Sequence, residues 1–161
     1  MRPYAGLSQP STLADTLLDS VAKSTPSDWT PYYGWSHLPI PLELLLTDPL
    51  LKQIYDKHSF GGGILVLPQS QLYDWHTDIN RGVSINMLLT PEIHSHCVLR
   101  YGTFIMDLPY KKDTYYLFNP QVEHMVMNFE KPRYMFSIEF HEDKTKLTYN
   151  QLRDELAHLL D

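Results

Sequence analysis

One cysteine, Cys97, is all the chain carries, and a lone thiol excludes an intramolecular disulfide. That fits a reducing compartment. Basic residues are few as well: 13 Lys and Arg against 19 Asp and Glu leave a formal charge of -6. Binding nucleic acid through its phosphates takes clustered Lys and Arg. Lys111-Lys112 and the Lys144/Lys146 pair are too small and interrupted for that, so nucleic acid is disfavoured as a partner. No long apolar run is present either. The longest, Leu42 to Leu51, is broken by Glu43, Asp48 and Pro49, too short and too polar to cross a bilayer. Nothing apolar follows Met1-Arg2-Pro3-Tyr4, so no secretory signal is expected. These absences together describe a soluble cytoplasmic protein. Glycine is scarce too, seven residues against twelve prolines, and most of the prolines fall in connecting segments.

What is present is enough to build a core. At 161 residues and 43% hydrophobic content, the chain fits one domain spanning 1–161. Residues 11–23 read as a first helix that Ser11 or Thr12 can cap, with Leu13, Leu17, Leu18 and Val21 at helical spacing. Residues 27–41 hold Trp29, Tyr32, Tyr33 and Trp35 among three prolines, an irregular segment whose rings should pack over a sheet or a pocket mouth. A second helical stretch covers 42–57, interrupted at Asp48-Pro49. Gly61-Gly62-Gly63 reads as a turn, and without a following Lys-Ser or Lys-Thr it is no phosphate loop.

Beyond the glycines the pattern changes to short strands divided by turn residues. They cover 64–67, 72–76, 83–89, 97–100, 103–108, 114–118, 122–128 and 134–140. A last helix begins near Thr148 with Leu152, Leu156, Leu159 and Leu160. Strands that follow one another without intervening helices argue against a doubly wound parallel sheet. They predict a mainly β fold of α+β type: a double-stranded β-helix, or cupin-like jelly roll, with N-terminal helices packed on the sheet. In that scheme 1–60 form a helical, aromatic-rich layer, 61–142 the jelly-roll core and 146–161 the C-terminal helix.

The chemistry-bearing residues lie in the strand region. His76 and Asp78 are two apart at a strand end, a spacing that points both side chains to one face. His124 opens a later strand after Asn119-Pro120, where a third ligand from a neighbouring strand would sit. Two imidazoles and one carboxylate suit a non-haem Fe(II) with open positions, whereas structural zinc usually draws on cysteines. Arg133 heads the strand Tyr134, Phe136, Ile138, Phe140, a run made for burial. A guanidinium there needs a partner, which is either Glu139, another protein carboxylate, or an anionic dicarboxylate held bidentately. A rival metal site is His94-Ser95-His96 with Glu92. His37, His58, His141 and His158 read as surface residues, while Tyr73, Trp75 and Met87 could wall a pocket but are more often core.

Three blocks resemble a known family. They are Trp75-His76-Thr77-Asp78-Ile79-Asn80-Arg81 leading into Val83-Ser84-Ile85-Asn86-Met87-Leu88-Leu89; Tyr116 through His124 to Asn128; and Arg133-Tyr134-Met135-Phe136-Ser137-Ile138-Glu139-Phe140. In order and spacing they resemble the Fe(II)/2-oxoglutarate-dependent oxygenases, and within them the aspartyl/asparaginyl β-hydroxylase-like group, over roughly residues 62–140. The resemblance implies iron held by His76, Asp78 and His124, with Arg133 on the distal carboxylate of 2-oxoglutarate. It also implies further co-substrate contacts from Ser84 and Asn86, on a strand that here lacks the basic residues the family often has. The implied activity is a dioxygenase using O2 and 2-oxoglutarate to hydroxylate an amino-acid, peptide or protein side chain. The carboxylate ligand Asp78 goes with hydroxylation, since halogenating relatives leave that position to a halide. Two other readings stay open: a cupin metalloenzyme without 2-oxoglutarate, and a non-catalytic module binding a small ligand or a protein.

Overall fold

The computed structural model describes residues 2–90 and 94–161, and there eleven strands form two antiparallel sheets. The major sheet runs in the order β1 (Tyr4–Gly6), β9 (Tyr116–Phe118), β6 (Ser84–Leu88), β11 (Arg133–Phe140), β4 (Phe60–Leu67), β3 (Trp35–Pro39) and β2 (Thr30–Tyr32). The minor sheet runs β5 (Gln71–His76), β10 (Glu123–Asn128), β7 (Ser95–Tyr101) and β8 (Phe104–Asp107). The helices are α1 (Ala14–Lys23), α2 (Leu42–Leu45), α3 (Pro49–Tyr55) and α4 (Tyr149–Glu155). No helix among the described residues is long and apolar enough to cross a membrane.

Side-chain alternation along the strands sorts the apolar residues into two layers. Ile85 and Met87 of β6, with Phe136 and Ile138 of β11, pack on Leu17, Leu45, Leu50, Ile54 and Leu152 from the helices. Each such side chain contributes about 1.5–3 kcal/mol on burial, which holds the short helices to the sheet. The other faces supply Leu65, Leu67, Leu88, Leu99, Val126 and Met135 to a layer between the sheets. This is a jelly roll of mainly β structure, as the strand pattern predicts. Arg133, Ser137 and Asn86 share the inter-sheet face, and that places polar groups inside the fold.

The structure departs from the sequence reading in its first third. Residues 1–60 are not only helical: β1, β2 and β3 all join the major sheet. Two of them contain proline, which lacks an N–H for the ladder, and β2 is accordingly an edge strand. Gly61-Gly62-Gly63 is no turn; it lies within β4, where helix and neighbouring backbone come too close for side chains at Gly62 and Gly63. A Cβ on Gly63 would sit 2.6 Å from the Leu38 carbonyl oxygen, and one on Gly62 would sit 2.8 Å from Leu45 Cδ1. Neither Ser11 nor Thr12 is the N-cap of α1. Leu13 holds that position, and the Ser11 hydroxyl accepts from the Leu13 amide instead. The helical break at Asp48-Pro49 is real: Asp48, wholly buried, caps α3 by accepting from the Leu50 and Leu51 amides.

His58 is not a plain surface residue. Its Nδ1 meets Glu142 and its Nε2 lies 2.7 Å from Glu155, which ties β11's exit and α4 to the end of α3. Burial works against the charged ring, but the two carboxylates outweigh it and raise its pKa above the usual histidine value. A folded-state pKa above the unfolded one means the stabilisation is complete below about pH 6.5 and is lost as pH rises through the raised value. The melting temperature of the wild type should therefore exceed that of His58→Gln most at pH 6, with the gap closing toward pH 9. A gap that widens with pH would contradict this assignment.

Candidate metal centre

The site is built by strand pairing across the minor sheet. β5 and β10 are antiparallel neighbours with His76 opposite His124, and the register shifts between His124 and Val126. Such an irregularity re-aims side chains locally. Both rings face inward, 4.2 Å apart between centroids. Asp78 follows β5 in a loop clamped to the turn before β10. Its amide donates to the Pro120 carbonyl at 2.9 Å, and Gln121 Nε2 donates to the carbonyls of Asp78 (2.7 Å) and Arg81 (2.8 Å). The loop is thus fixed relative to His124 before any ligand binds.

Geometry then sets the chemistry of each atom. His76 Nδ1 lies 2.6 Å from the Asp74 carbonyl and His124 Nδ1 lies 2.8 Å from the Val122 carbonyl. A carbonyl only accepts, so both Nδ1 atoms carry the proton and both Nε2 lone pairs are available to a metal. Each Nε2 is 3.5 Å from the same oxygen, Asp78 Oδ1, and the three ligand atoms all lie within 4.8 Å of one another. That spacing is long for hydrogen bonds and suits an ion between the three. Burial opposes ionisation of Asp78, but the His124 and His76 rings when protonated, and the Arg81 guanidinium, hold its carboxyl well below the usual carboxylate range. The donor set of two imidazole nitrogens and a carboxylate oxygen fits Fe(II). Tyr73 and Phe118 pack edgewise on His76 and His124, at 4.2 and 4.9 Å between ring centroids.

Arg133 lines the same cavity, a pocket of about 220 Å³ that also touches Trp35, Asn86, Cys97, Tyr110 and Met135. Only 2% of Arg133 is exposed. Its Nε donates to Ser95 Oγ at 3.2 Å, its Nη1 faces Met135 Sδ at 3.6 Å, and Trp35 and Tyr110 lie over it. No carboxylate among the described residues reaches it. Glu139, the partner considered from sequence, accepts instead from the Tyr32 hydroxyl at 3.4 Å. A buried cation left without an anion costs several kcal/mol, so the position calls for an anionic ligand.

Of the two further co-substrate contacts that the resemblance implies, Asn86 lines the cavity, where its Oδ1 accepts from Ser137 Oγ at 2.8 Å. Ser84 is buried on the same strand but outside the lining. Trp75 lies under Arg100, 4.2 Å away, and Met87 belongs to the helix-side core, so neither walls the pocket; Tyr73 does. In the rival site, Glu92 lies outside the described residues. His96 pairs with Asp107 at 3.0 Å, and among the described residues only His76, Asp78 and His124 converge as a possible metal site.

Three residues escape a reading of the sequence. Arg81 donates through Nε to Asp78 Oδ2 at 2.8 Å, a pairing its i+3 spacing could have suggested. Gln121 has no such signal, because its two carbonyl partners lie far upstream. Tyr110 follows Pro109 in what reads as a loop, yet it is partly buried against Arg133, and the desolvation of its hydroxyl pushes its pKa up.

No protein-family model and no curated protein sequence matches the chain. Solved structures do. A prolyl-4-hydroxylase from Pseudomonas putida aligns over 87% of this chain and 92% of its own, with a TM-score of 0.68 and 14% identity. A Trichoplax adhaerens prolyl hydroxylase, bound to a peptide fragment of the hypoxia inducible factor oxygen degradation domain, aligns over 92% and 85% (TM-score 0.66, 14% identity). EvdO2 from Micromonospora carbonacea var. aurantiaca, complexed with 2-oxoglutarate, aligns over 86% of both chains (TM-score 0.59, 16% identity). At such identities the likeness is one of fold.

Proposed function

We propose that this chain is an Fe(II)- and 2-oxoglutarate-dependent oxygenase that hydroxylates an amino-acid, peptide or protein side chain. The observation that carries the reading is one cavity with two features: three convergent metal-ligating atoms, and a buried arginine that no carboxylate among the described residues reaches. Neighbours in fold that are prolyl hydroxylases, and one that holds 2-oxoglutarate, support it. The finer grouping with aspartyl/asparaginyl β-hydroxylases rests on the three sequence blocks alone.

His76, Asp78 and His124 would hold the iron, which when bound supplies oxygen activation coupled to decarboxylation of 2-oxoglutarate to succinate and carbon dioxide. The chain's own contributions are orientation and exclusion of water. The Asp74 and Val122 carbonyls keep each imidazole in the tautomer that presents Nε2. Arg133 would take the distal carboxylate of the keto acid in its planar fork, with Ser95 fixing Nε and leaving the outer nitrogens for the ligand. Trp35, Leu65, Val126 and Met135 line the cavity with apolar surface, which strengthens every charge interaction inside it. Cys97, its thiol pKa pushed up to about 11 by burial, is inert there.

The substrate would enter past Tyr32, Tyr33 and Ile79 at the mouth. A wider trough of about 740 Å³ shares Tyr32, Asn80 and Arg81 with this rim and continues over Gly61 and Gly63. That trough gives room for more than a free amino acid. Purified protein supplied with Fe(II), ascorbate and 2-oxoglutarate should release succinate slowly without substrate and faster with it. Absence of succinate from iron-loaded protein, with and without candidate peptides, would count against the proposal.

A further inference from the structure

We infer that Arg81 is a positioning residue that leaves Asp78 a single oxygen, Oδ1, for a metal ion. The inference rests on the metal-site reading above and concerns how one ligand is held. The two oxygens of Asp78 have separate partners. Oδ1 faces both histidine Nε2 atoms, 3.5 Å from each. Oδ2 receives Arg81 Nε at 2.8 Å and pairs with Nη2 at 2.5 Å. The guanidinium is itself held from the other side, since Nη1 donates to Ser137 Oγ at 3.0 Å and that hydroxyl donates to Asn86 Oδ1.

The arrangement ties the loop after β5, in the minor sheet, to β11 and β6 of the major sheet. Arg81 thereby refers Asp78 to a rigid surface, while Gln121 fixes the backbone of both residues. The pair is sheltered, with 15% of the Arg81 side chain and 12% of the Asp78 side chain exposed, so it is not a solvent-screened surface pair. A fork engaged at three nitrogens cannot be replaced by an ammonium, which is a point charge on a flexible stem.

The consequence is coordination number. A carboxylate with both oxygens free can chelate and take up an additional position on the metal. A site that must keep positions open for a bidentate keto acid and for oxygen needs that ligand restricted to one atom. Arg81 imposes the restriction by occupying Oδ2 before the metal arrives.

Co(II) is the probe, because its visible absorption reports coordination number and geometry. Arg81→Ala, checked for folding by circular dichroism, should bind Co(II) about 10–100-fold more weakly, the usual effect of losing an outer-shell partner. Its Co(II) bands should differ from those of the wild type, and added guanidinium ion at millimolar concentration should return them toward the wild-type spectrum. Arg81→Lys keeps the charge but cannot span Asp78 and Ser137, so it too should show altered bands; it carries the test if Arg81→Ala does not fold. Wild-type affinity and bands in a folded Arg81→Ala or Arg81→Lys would overturn this inference alone. Failure of the wild-type chain to take up Co(II) would overturn it together with the metal-site reading.

Discussion

Arg133→Met is expected to leave the ligand-free protein as stable as the wild type or more so, while raising the apparent KM for 2-oxoglutarate about 100-fold or more. The two halves of that result have one cause. In the absence of ligand the guanidinium is buried with no carboxylate of the described residues in reach, and replacing buried charge by apolar volume is often neutral or stabilising. Met fits a lining that already holds Met135, Val126 and Leu65. With ligand present the balance reverses, because a charge-assisted bidentate contact worth about 3 kcal/mol corresponds to roughly a hundredfold in affinity. Thermal shift measurements separate the cases. Added 2-oxoglutarate should raise the melting temperature of the iron-loaded wild type and leave that of Arg133→Met unchanged. A variant that melts several degrees lower without ligand, with unaltered 2-oxoglutarate dependence, would make Arg133 a structural residue.

His124→Ala should abolish saturable Fe(II) binding and with it any turnover. His124 is 5% exposed and supplies one of three ligand atoms, so its loss should exceed the roughly 10–100-fold cost of removing an outer-shell partner. The fold should survive, since the ring packs mainly on Phe118 and His76 and a substitution of this kind costs about 1–3 kcal/mol. His96→Ala is the matched control: it removes a histidine of the rival site that is paired with Asp107, and iron binding should not change. Calorimetric titration under anaerobic conditions reads both. A folded His124→Ala that still binds iron as the wild type does, or a His96→Ala that does not, would move the metal elsewhere.

The strands from β4 onward are legible because they alternate: Ile85 and Met87 point to the helices while Ser84 and Asn86 point between the sheets, and the sequence shows that period directly. β1, β2 and β3 are not, because three to five residues interrupted by Pro31 and Pro39 carry too little periodicity to register. The Gly61-Gly62-Gly63 run misleads for a related reason. Glycine marks a turn locally, but here it marks where Leu45 and the β3 backbone press on a strand, which only the tertiary structure reveals. At the site, the spacing of His76 and Asp78 expresses strand geometry and is visible in the chain. The approach of His124 to them depends on which strands pair across the minor sheet, and it is inferred from sequence only through order and turns. Gln121 and Tyr110 act through partners distant in sequence, so no local pattern announces them; Arg81 pairs locally with Asp78, but its second partner, Ser137, is equally distant.

The central claim, an iron and keto-acid site assembled from His76, Asp78, His124 and Arg133, is tested most directly by anaerobic addition of Fe(II) and then 2-oxoglutarate to the purified protein. The readout is the weak visible charge-transfer absorbance of an iron–keto-acid chelate. The account predicts a saturable band that needs both components, is absent in His124→Ala, and in Arg133→Met demands far more 2-oxoglutarate. Iron binding with no response to 2-oxoglutarate would contradict it and leave a cupin-like metalloprotein. Failure to bind iron at all would leave a ligand- or protein-binding module.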